Sequence, residues 1–124
     1  MAKILVVEDN DDVREMMAVT LELEGHNVST AINGRDALDK LRSGERPCLI
    51  LLDLMMPVMN GWEFQQAVEQ DPNLRDVPVV VVSAATGEIV KNTPADAFLS
   101  KPIDMDRLLT VVCEYCDGFG EKKR

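Results

Sequence analysis

The chain has 124 residues, which is enough for one domain with a substantial core and too few for two ordinary domains. At 46% hydrophobic and 28% charged residues, its composition is that of a folded globular protein and excludes a disordered chain. A formal net charge of −9 opposes binding to the phosphate backbone of nucleic acids. No apolar run is long enough for a bilayer span or a signal peptide, so we expect a cytoplasmic protein that does not contact membranes.

Five short segments rich in aliphatic residues predict β-strands. In chain order they are residues 4–7, 27–31, 49–52, 77–82 and 97–99. The third is apolar at every position, which is typical of a strand covered on both faces, as in a parallel sheet flanked by helices. The second contains Ser29 and Thr30 and therefore suits the edge of the sheet.

Helical patterns alternate with these strands. The first follows the possible N-caps Asn10, Asp11 and Asp12, the second follows Asn33-Gly34, the third follows Asn60-Gly61, and the last begins at Asp104. Residues 87–92 predict only a short fourth helix. Five strands alternating with five helical segments predict an α/β fold with a parallel sheet and helices on both faces.

The cysteine and histidine content argues against a zinc site and against a disulfide framework. The chain has three cysteines and one histidine, so the C-x-x-C pair Cys113 and Cys116 lacks further ligands. We expect the cysteines to be thiols in the core or on the surface, with this pair on one face of the last helix. His26 lies in a polar turn and is expected to be exposed, and Trp62 is expected to be a packing residue.

Polar residues follow four of the five predicted strands. Glu8 and Asp9 follow the first, Asp53 the third, Ser83 the fourth and Lys101 the fifth. Because neighbouring parallel strands end at one edge of the sheet, about 4.8 Å apart, these side chains can converge.

Three carboxylates at one edge repel one another. At about 4 Å and an effective dielectric constant near 20, each like-charge pair costs roughly 4 kcal/mol. Mg²⁺ prefers oxygen ligands and would remove this repulsion, while the helix N-termini at the same edge favour an anion. Together with the hydroxyl of Ser83 and the ammonium of Lys101, the carboxylates predict a site for a phosphoryl group.

The sequence resembles the receiver domain of two-component response regulators, of the single-domain, chemotaxis-regulator-like kind, over nearly all of residues 3–116. The matching residues are Val7-Glu8-Asp9-Asn10, Asp53 with Met56-Pro57 and Asn60-Gly61, Ser83-Ala84, Phe98 and Lys101-Pro102. The resemblance implies a flavodoxin-like, doubly wound, five-stranded parallel sheet in the order 2-1-3-4-5. It places the receiver domain at residues 1–117, and we expect 118–124 to be a disordered tail.

The resemblance also assigns roles. Asp53 would be the phosphoryl acceptor, and the Lys101–Pro102 peptide bond would be cis, which is accessible only before proline. The implied ligands of Mg²⁺, for which Mn²⁺ would be able to substitute, are Glu8, Asp9, Asp53 and the backbone carbonyl of Met55. The implied switch and phosphoryl-binding residues are Ser83, Lys101 and Phe98.

The implied function is signalling and not enzymatic turnover of a separate substrate. A histidine kinase or phosphotransfer protein would donate the phosphoryl group, and a downstream protein, which the sequence does not identify, would recognise the altered surface. No direct contact with nucleic acid is expected, and the protein would be a monomer or a weak, phosphorylation-dependent dimer.

Each site residue alone also has a structural explanation. Glu8 and Asp9 can cap the following helix, Asp53 can cap a loop, Ser83 can satisfy a turn and Lys101 can be a solvated charge. These explanations would have to hold independently at four strand ends, so we favour a shared phosphoryl-transfer site.

Three other functions remain as alternatives. A pseudo-receiver that takes no phosphate would be expected to lack part of this residue set. Aspartate-nucleophile phosphatases share a second Asp, two residues after the nucleophile, that acts as a general acid. This chain has Met55 at that position, and a methionine side chain cannot donate a proton. A flavin carrier needs a hydroxyl- and glycine-rich first loop, whereas residues 8–12 are acidic.

Two features depart from the family pattern. The segment from Ser83 to Lys101 is shorter by roughly one helical turn. Met55 and Ala85 flank the site where polar side chains could hold an attacking water, so we expect slow loss of the phosphoryl group.

Overall fold

Five parallel strands form one sheet in the computed structural model, which describes residues 3–44, 46–56, 58–84 and 93–116. The strands are β1 (Lys3–Val7), β2 (Asn27–Ala31), β3 (Leu49–Leu52), β4 (Val79–Ser83) and β5 (Ala97–Ser100). Their order, β2-β1-β3-β4-β5, confirms the predicted flavodoxin-like topology and the edge position of β2. β4 begins two residues later than predicted, after Pro78, which has no N–H for the sheet but accepts the Ile50 N–H at 3.0 Å through its carbonyl.

Four helices are described, each starting after a polar cap. They are α1 (Asp11–Leu23), α2 (Gly34–Arg42), α3 (Gly61–Glu69) and α4 (Met105–Cys116). Side-chain oxygens of Asn10, Asn33, Asn60 and Asp104 accept backbone N–H groups in the first turns, as the caps predicted for α1 and α4 require. The predicted short helix at 87–92 and the tail at 118–124 lie outside the described residues.

The core lies on both faces of the sheet. Ile50 and Leu52 of β3 pack in a cluster with residues of α2 and α3, while Leu49 and Leu51 pack in a second cluster with residues of α1 and α4. All four side chains are fully buried, which confirms that β3 is covered on both faces. Within the described ranges no helix is long and apolar enough to cross a membrane.

The prediction that the cysteines are free thiols holds for Cys113 but was wrong for Cys48 and Cys116. Cys48 and Cys116 form a disulfide, with Cα atoms 5.5 Å apart, and Cys113 is an exposed free thiol. Cys48 immediately precedes β3, and α4 packs against that strand so that its last residue meets the strand's beginning. The two cysteines are 68 positions apart, so no local pattern indicated the pair. Cys113 and Cys116 are three residues apart in α4, but Cys113 is exposed and Cys116 is buried, so the two do not pack together in the core.

The expectation of an exposed His26 was also wrong, since only 8% of the residue is accessible. Gly25 adopts φ +93°, a left-handed conformation that favours glycine and folds the chain back under the end of α1. The His26 N–H then donates to the carbonyl of Leu21 at 3.1 Å. Burial lowers the pKa of His26, against the opposing attraction of Glu24.

Candidate functional site

The carboxyl ends of β1 and β3 place two acidic residues side by side. Val7 and Leu52 are partners in the sheet, and Glu8 and Asp53 directly follow them. The Glu8 N–H donates to the Ala31 carbonyl and the Asp53 N–H donates to the Val7 carbonyl, both at 3.0 Å. Because these bonds extend the sheet pattern, the backbone holds both residues at its edge, where Glu8 is 1% and Asp53 4% accessible.

Asp9 completes an acidic cluster with these two residues. One carboxylate oxygen from each of Glu8, Asp9 and Asp53 lies within 4.8 Å of the others. Glu8 and Asp53 are buried and Asp9 is exposed, so the cluster opens to solvent on one side. Carboxylates that leave room for water or a further oxygen ligand suit a hard divalent cation such as Mg²⁺.

Lys101 is the cation beside this cluster. Its Nζ lies 2.9 Å from Glu8 Oε1 and 3.5 Å from Asp53 Oδ2, and its side chain is 22% accessible. Glu8 Oε1 is buried, and within the described part of the chain no hydrogen bond of good geometry reaches it, so the ion pair with Lys101 is its main compensation. Among the described residues, this ammonium is the one cation that pairs with the cluster; it does not neutralise three carboxylates, and the remaining negative charge favours a bound cation.

The electrostatics of the site raise two pKa values. Burial, followed by the charge of Glu8, raises the pKa of Asp53 to about 6, although Lys101 and the Met55 N–H act in the opposite direction. Burial alone would lower the pKa of Lys101, but Glu8 and Asp53 outweigh it and raise that pKa. Without a metal, the charged form of the Asp53 carboxyl group is therefore less favourable in the folded protein than in water.

Arg14 supports the β1–α1 loop, a role that was not predicted from the sequence. Its Nη1 donates to the Glu8 carbonyl at 2.9 Å and to the Asp9 carbonyl at 3.5 Å, and the guanidinium pairs with Asp11. These contacts hold the backbone of the acidic pair. The only sequence signal was a cation placed one helical turn after the acidic loop.

The β3–α3 loop brings α3 against the backbone of Asp53. A Cβ on Gly61 would lie 2.8 Å from the Asp53 carbonyl oxygen and from Leu54 Cα, so only glycine fits here without displacement. Within the loop, the Met55 N–H donates to Asp53 Oδ1 at 3.3 Å, while the Met55 residue is 61% accessible. Val58 adopts φ +68°, a conformation that is unfavourable for a β-branched residue.

The other predicted residues lie on β4 and β5 or directly after them. Ser83 is buried at the end of β4, and its carbonyl accepts the Lys101 N–H at 3.1 Å, which joins the two strand ends. Phe98 is the partner of Val81 in the sheet and packs, partly buried, against the core on the α2–α3 side. The Lys101–Pro102 peptide bond is cis.

Trp62 connects α3 to the segment that leads into β5. Its Nε1 donates to Thr93 Oγ1 at 2.9 Å, and its ring packs against the core. This contact joins the helix that follows the Asp53 loop to the residues that follow Ser83 in the chain. The packing of Trp62 was predicted from the sequence, but this hydrogen bond was not.

Comparison with known proteins gives consistent matches. Residues 4–113 match the family described as the response regulator receiver domain. The polar-differentiation response regulator DivK of Brucella anthropi is 31% identical over 116 residues, which cover 90% of this chain and 94% of DivK. The response regulator Rre1 of Synechocystis sp. is 38% identical over 114 residues, which cover 88% of this chain and 49% of Rre1. The chain thus spans about half the length of some curated relatives and nearly the whole of others.

Solved structures agree with these sequence matches. The chemotaxis protein CheY4 of Vibrio cholerae has a TM-score of 0.85 and 34% identity, covering 93% of this chain and 98% of CheY4. The receiver domain of sensor histidine kinase PA1611 from Pseudomonas aeruginosa, solved with a magnesium ion in its active-site cleft, has a TM-score of 0.81 and 25% identity, covering 92% and 96%. On its sequence, its sheet topology and these matches, the chain belongs to the response regulator receiver domain family.

Proposed function

We propose that the chain is a phosphoacceptor that receives a phosphoryl group on Asp53 from a histidine kinase or phosphotransfer protein, in a Mg²⁺-dependent reaction. The observation that carries this proposal is the convergence of Glu8, Asp9 and Asp53 within 4.8 Å, beside the ammonium of Lys101. The cluster is open to solvent on one side, and the ammonium of Lys101 does not balance its negative charge. Such a site suits a bound cation and an incoming anionic phosphoryl group.

The metal would be held by the three carboxylates and by the backbone carbonyl of Met55, and Mn²⁺ could replace Mg²⁺. When bound, the cation supplies positive charge to the oxygens of the transferring phosphoryl group. The magnesium ion in the related Pseudomonas receiver supports this assignment.

In the transfer step, a carboxylate oxygen of Asp53 attacks the phosphorus of a phosphohistidine. The oxygen–phosphorus bond forms as the phosphorus–nitrogen bond breaks, the electron pair of that bond stays on the imidazole nitrogen, and the ring leaves as neutral imidazole with its proton on the other nitrogen. Lys101 lies 3.5 Å from Asp53 Oδ2 and can pair with the new phosphoryl oxygens. The backbone bond to Val7 holds Asp53 at the sheet edge, and the Met55 N–H that donates to Asp53 Oδ1 would help to orient the carboxylate for attack.

The phosphoryl group would then act as a switch. It adds roughly 1.5 to 2 negative charges and strong hydrogen-bond acceptors. Ser83 and Lys101 are joined through the 3.1 Å bond between the two strand ends, so movement of either toward the group displaces both strands' ends. Phe98, on the adjacent strand, would move inward and change the surface that a downstream protein recognises. The protein would act in the cytoplasm as a monomer or a weak phosphorylation-dependent dimer.

Intact-mass spectrometry with acetyl phosphate tests the proposal. Wild-type protein in Mg²⁺ should gain one phosphoryl group, and Asp53→Asn should gain none. The matched control is Asp12→Asn, which removes an exposed carboxylate of α1 that is not part of the acidic cluster and should leave the modification unchanged.

Chelation of divalent cations should also abolish the modification. Full modification in chelator would contradict the metal requirement, and a modified Asp53→Asn protein would contradict the acceptor assignment. An unmodified wild type that still binds Mg²⁺ would instead favour a pseudo-receiver.

A further inference from the structure

The end of α4 and the beginning of β3 are joined far from the acidic cluster by the Cys48–Cys116 disulfide. The bond lies at the amino-terminal side of the sheet, whereas Glu8, Asp9 and Asp53 lie at the carboxyl-terminal side. The proposed phosphoryl transfer makes no use of this pair. It therefore requires a separate explanation.

The reduced pair also fits its surroundings. Cys48 Sγ lies 3.2 Å from the carbonyl oxygen of Lys3, which already accepts the Cys48 N–H at 2.8 Å. A disulfide sulfur has no proton to donate, but a Cys48 thiol could donate to this oxygen. Cys116 packs among apolar residues of the α1–α4 side, where a free cysteine behaves as a small hydrophobe.

Contacts other than the disulfide also stabilise the fold. Two apolar clusters cover the sheet, and the Tyr115 hydroxyl donates to the Asp96 carbonyl at 3.1 Å to hold the last turn of α4. A 124-residue chain with such a core does not need the cross-link that small secreted domains require. Both redox forms can therefore be folded, and Cys48 is only partly buried, so small thiols can reach it.

We propose that Cys48 and Cys116 form a reversible redox site that responds to low-molecular-weight disulfides of the glutathione class and locks the end of α4 to the start of β3. The Cys48 thiolate attacks the small disulfide, which gives a mixed disulfide and releases one small thiol. The Cys116 thiolate then attacks the Cys48 sulfur, which forms the protein disulfide and releases the second small thiol. Two protein thiols are oxidised, one small disulfide is reduced to two thiols, and the protons balance.

The test exposes reduced protein to graded ratios of oxidised to reduced glutathione, followed by alkylation, intact-mass measurement and peptide mapping. In the oxidised wild type, alkylation should no longer label Cys48 and Cys116, peptide mapping should show these two residues joined, and dithiothreitol should reverse the change without denaturant. Because the bond closes a loop of 68 residues, oxidation should raise the thermal midpoint by roughly 10 °C. Amide exchange in the last turn of α4 should slow.

Cys113→Ser is the matched control, since it removes an exposed thiol three residues away and should keep both the pairing and the thermal shift. Cys48→Ser keeps a donor for the Lys3 carbonyl, and Cys116→Ala keeps an apolar side chain, so each should fold and lose the shift. The proposal is overturned if glutathione only adds to separate cysteines, if Cys113 pairs with Cys116, or if the native disulfide resists dithiothreitol.

Discussion

Replacing Asp53 by Asn should stabilise the metal-free protein. The carboxylate is 4% accessible, lies near Glu8 and Asp9, and shares one ammonium with Glu8. Its charged form is therefore unfavourable in the folded state. Asn at this position removes the charge and retains an oxygen that can accept the Met55 N–H.

The raised pKa gives the size of the effect. The pKa of Asp53 rises from 3.8 to about 6, and each pKa unit corresponds to about 1.4 kcal/mol, so ionised Asp53 costs the folded protein about 3 kcal/mol at pH 7. The folded state binds this proton more tightly than the unfolded state. The cost is therefore small below about pH 4, grows as the pH rises toward 6, and is nearly constant above that.

Urea unfolding in chelator, followed by the fluorescence of Trp62, measures this difference. Asp53→Asn should exceed wild type by about 3 kcal/mol at pH 7 and by about half as much at pH 5. The control Asp39→Asn changes an exposed carboxylate of α2 and should shift stability by no more than about 0.5 kcal/mol. An Asp53→Asn protein that is no more stable than wild type, or a gain that does not change with pH, would refute the electrostatic argument.

Three further predictions concern switching, lifetime and strain. Ser83→Ala should still accept phosphate but lose most chemical-shift change at Phe98, and changes that persist would show that the coupling runs by another route. Met55→Asn or Met55→Glu should speed decay of the phosphorylated protein, because the exposed methionine cannot hold an attacking water; equal decay rates would contradict this. Val58→Gly should raise the free energy of unfolding by about 1 kcal/mol, because glycine adopts the left-handed backbone conformation without strain. The control Val19→Gly, on the exposed face of α1, should instead lower the free energy of unfolding by about as much.

The sheet and its order could be predicted because the signals are local. The fully apolar run of β3 required cover on both faces, and Asn10 and Asp104 marked helix starts through side-chain hydrogen bonds to nearby N–H groups. The convergence of Glu8 with Asp53 followed from parallel strands that share one edge.

What could not be predicted depends on contacts between distant parts of the chain. The Cys48–Cys116 bond spans 68 positions, and neither cysteine lies in a local pattern that indicates the other. His26 is buried because a left-handed glycine turns the chain back under α1, which residue polarity does not reveal. Lys101 pairs with Glu8, which lies near the opposite end of the chain, and no spacing rule specifies this contact.

The location of the phosphoryl group tests the central claim most directly. Protein treated with acetyl phosphate and Mg²⁺ is reduced with borohydride, which converts an aspartyl phosphate to homoserine, and is then digested and sequenced by mass spectrometry. We expect homoserine at position 53 alone, and none in a sample treated in chelator. Reduction products at Glu8 or Asp9, or an equal yield at position 53 without divalent cation, would contradict it.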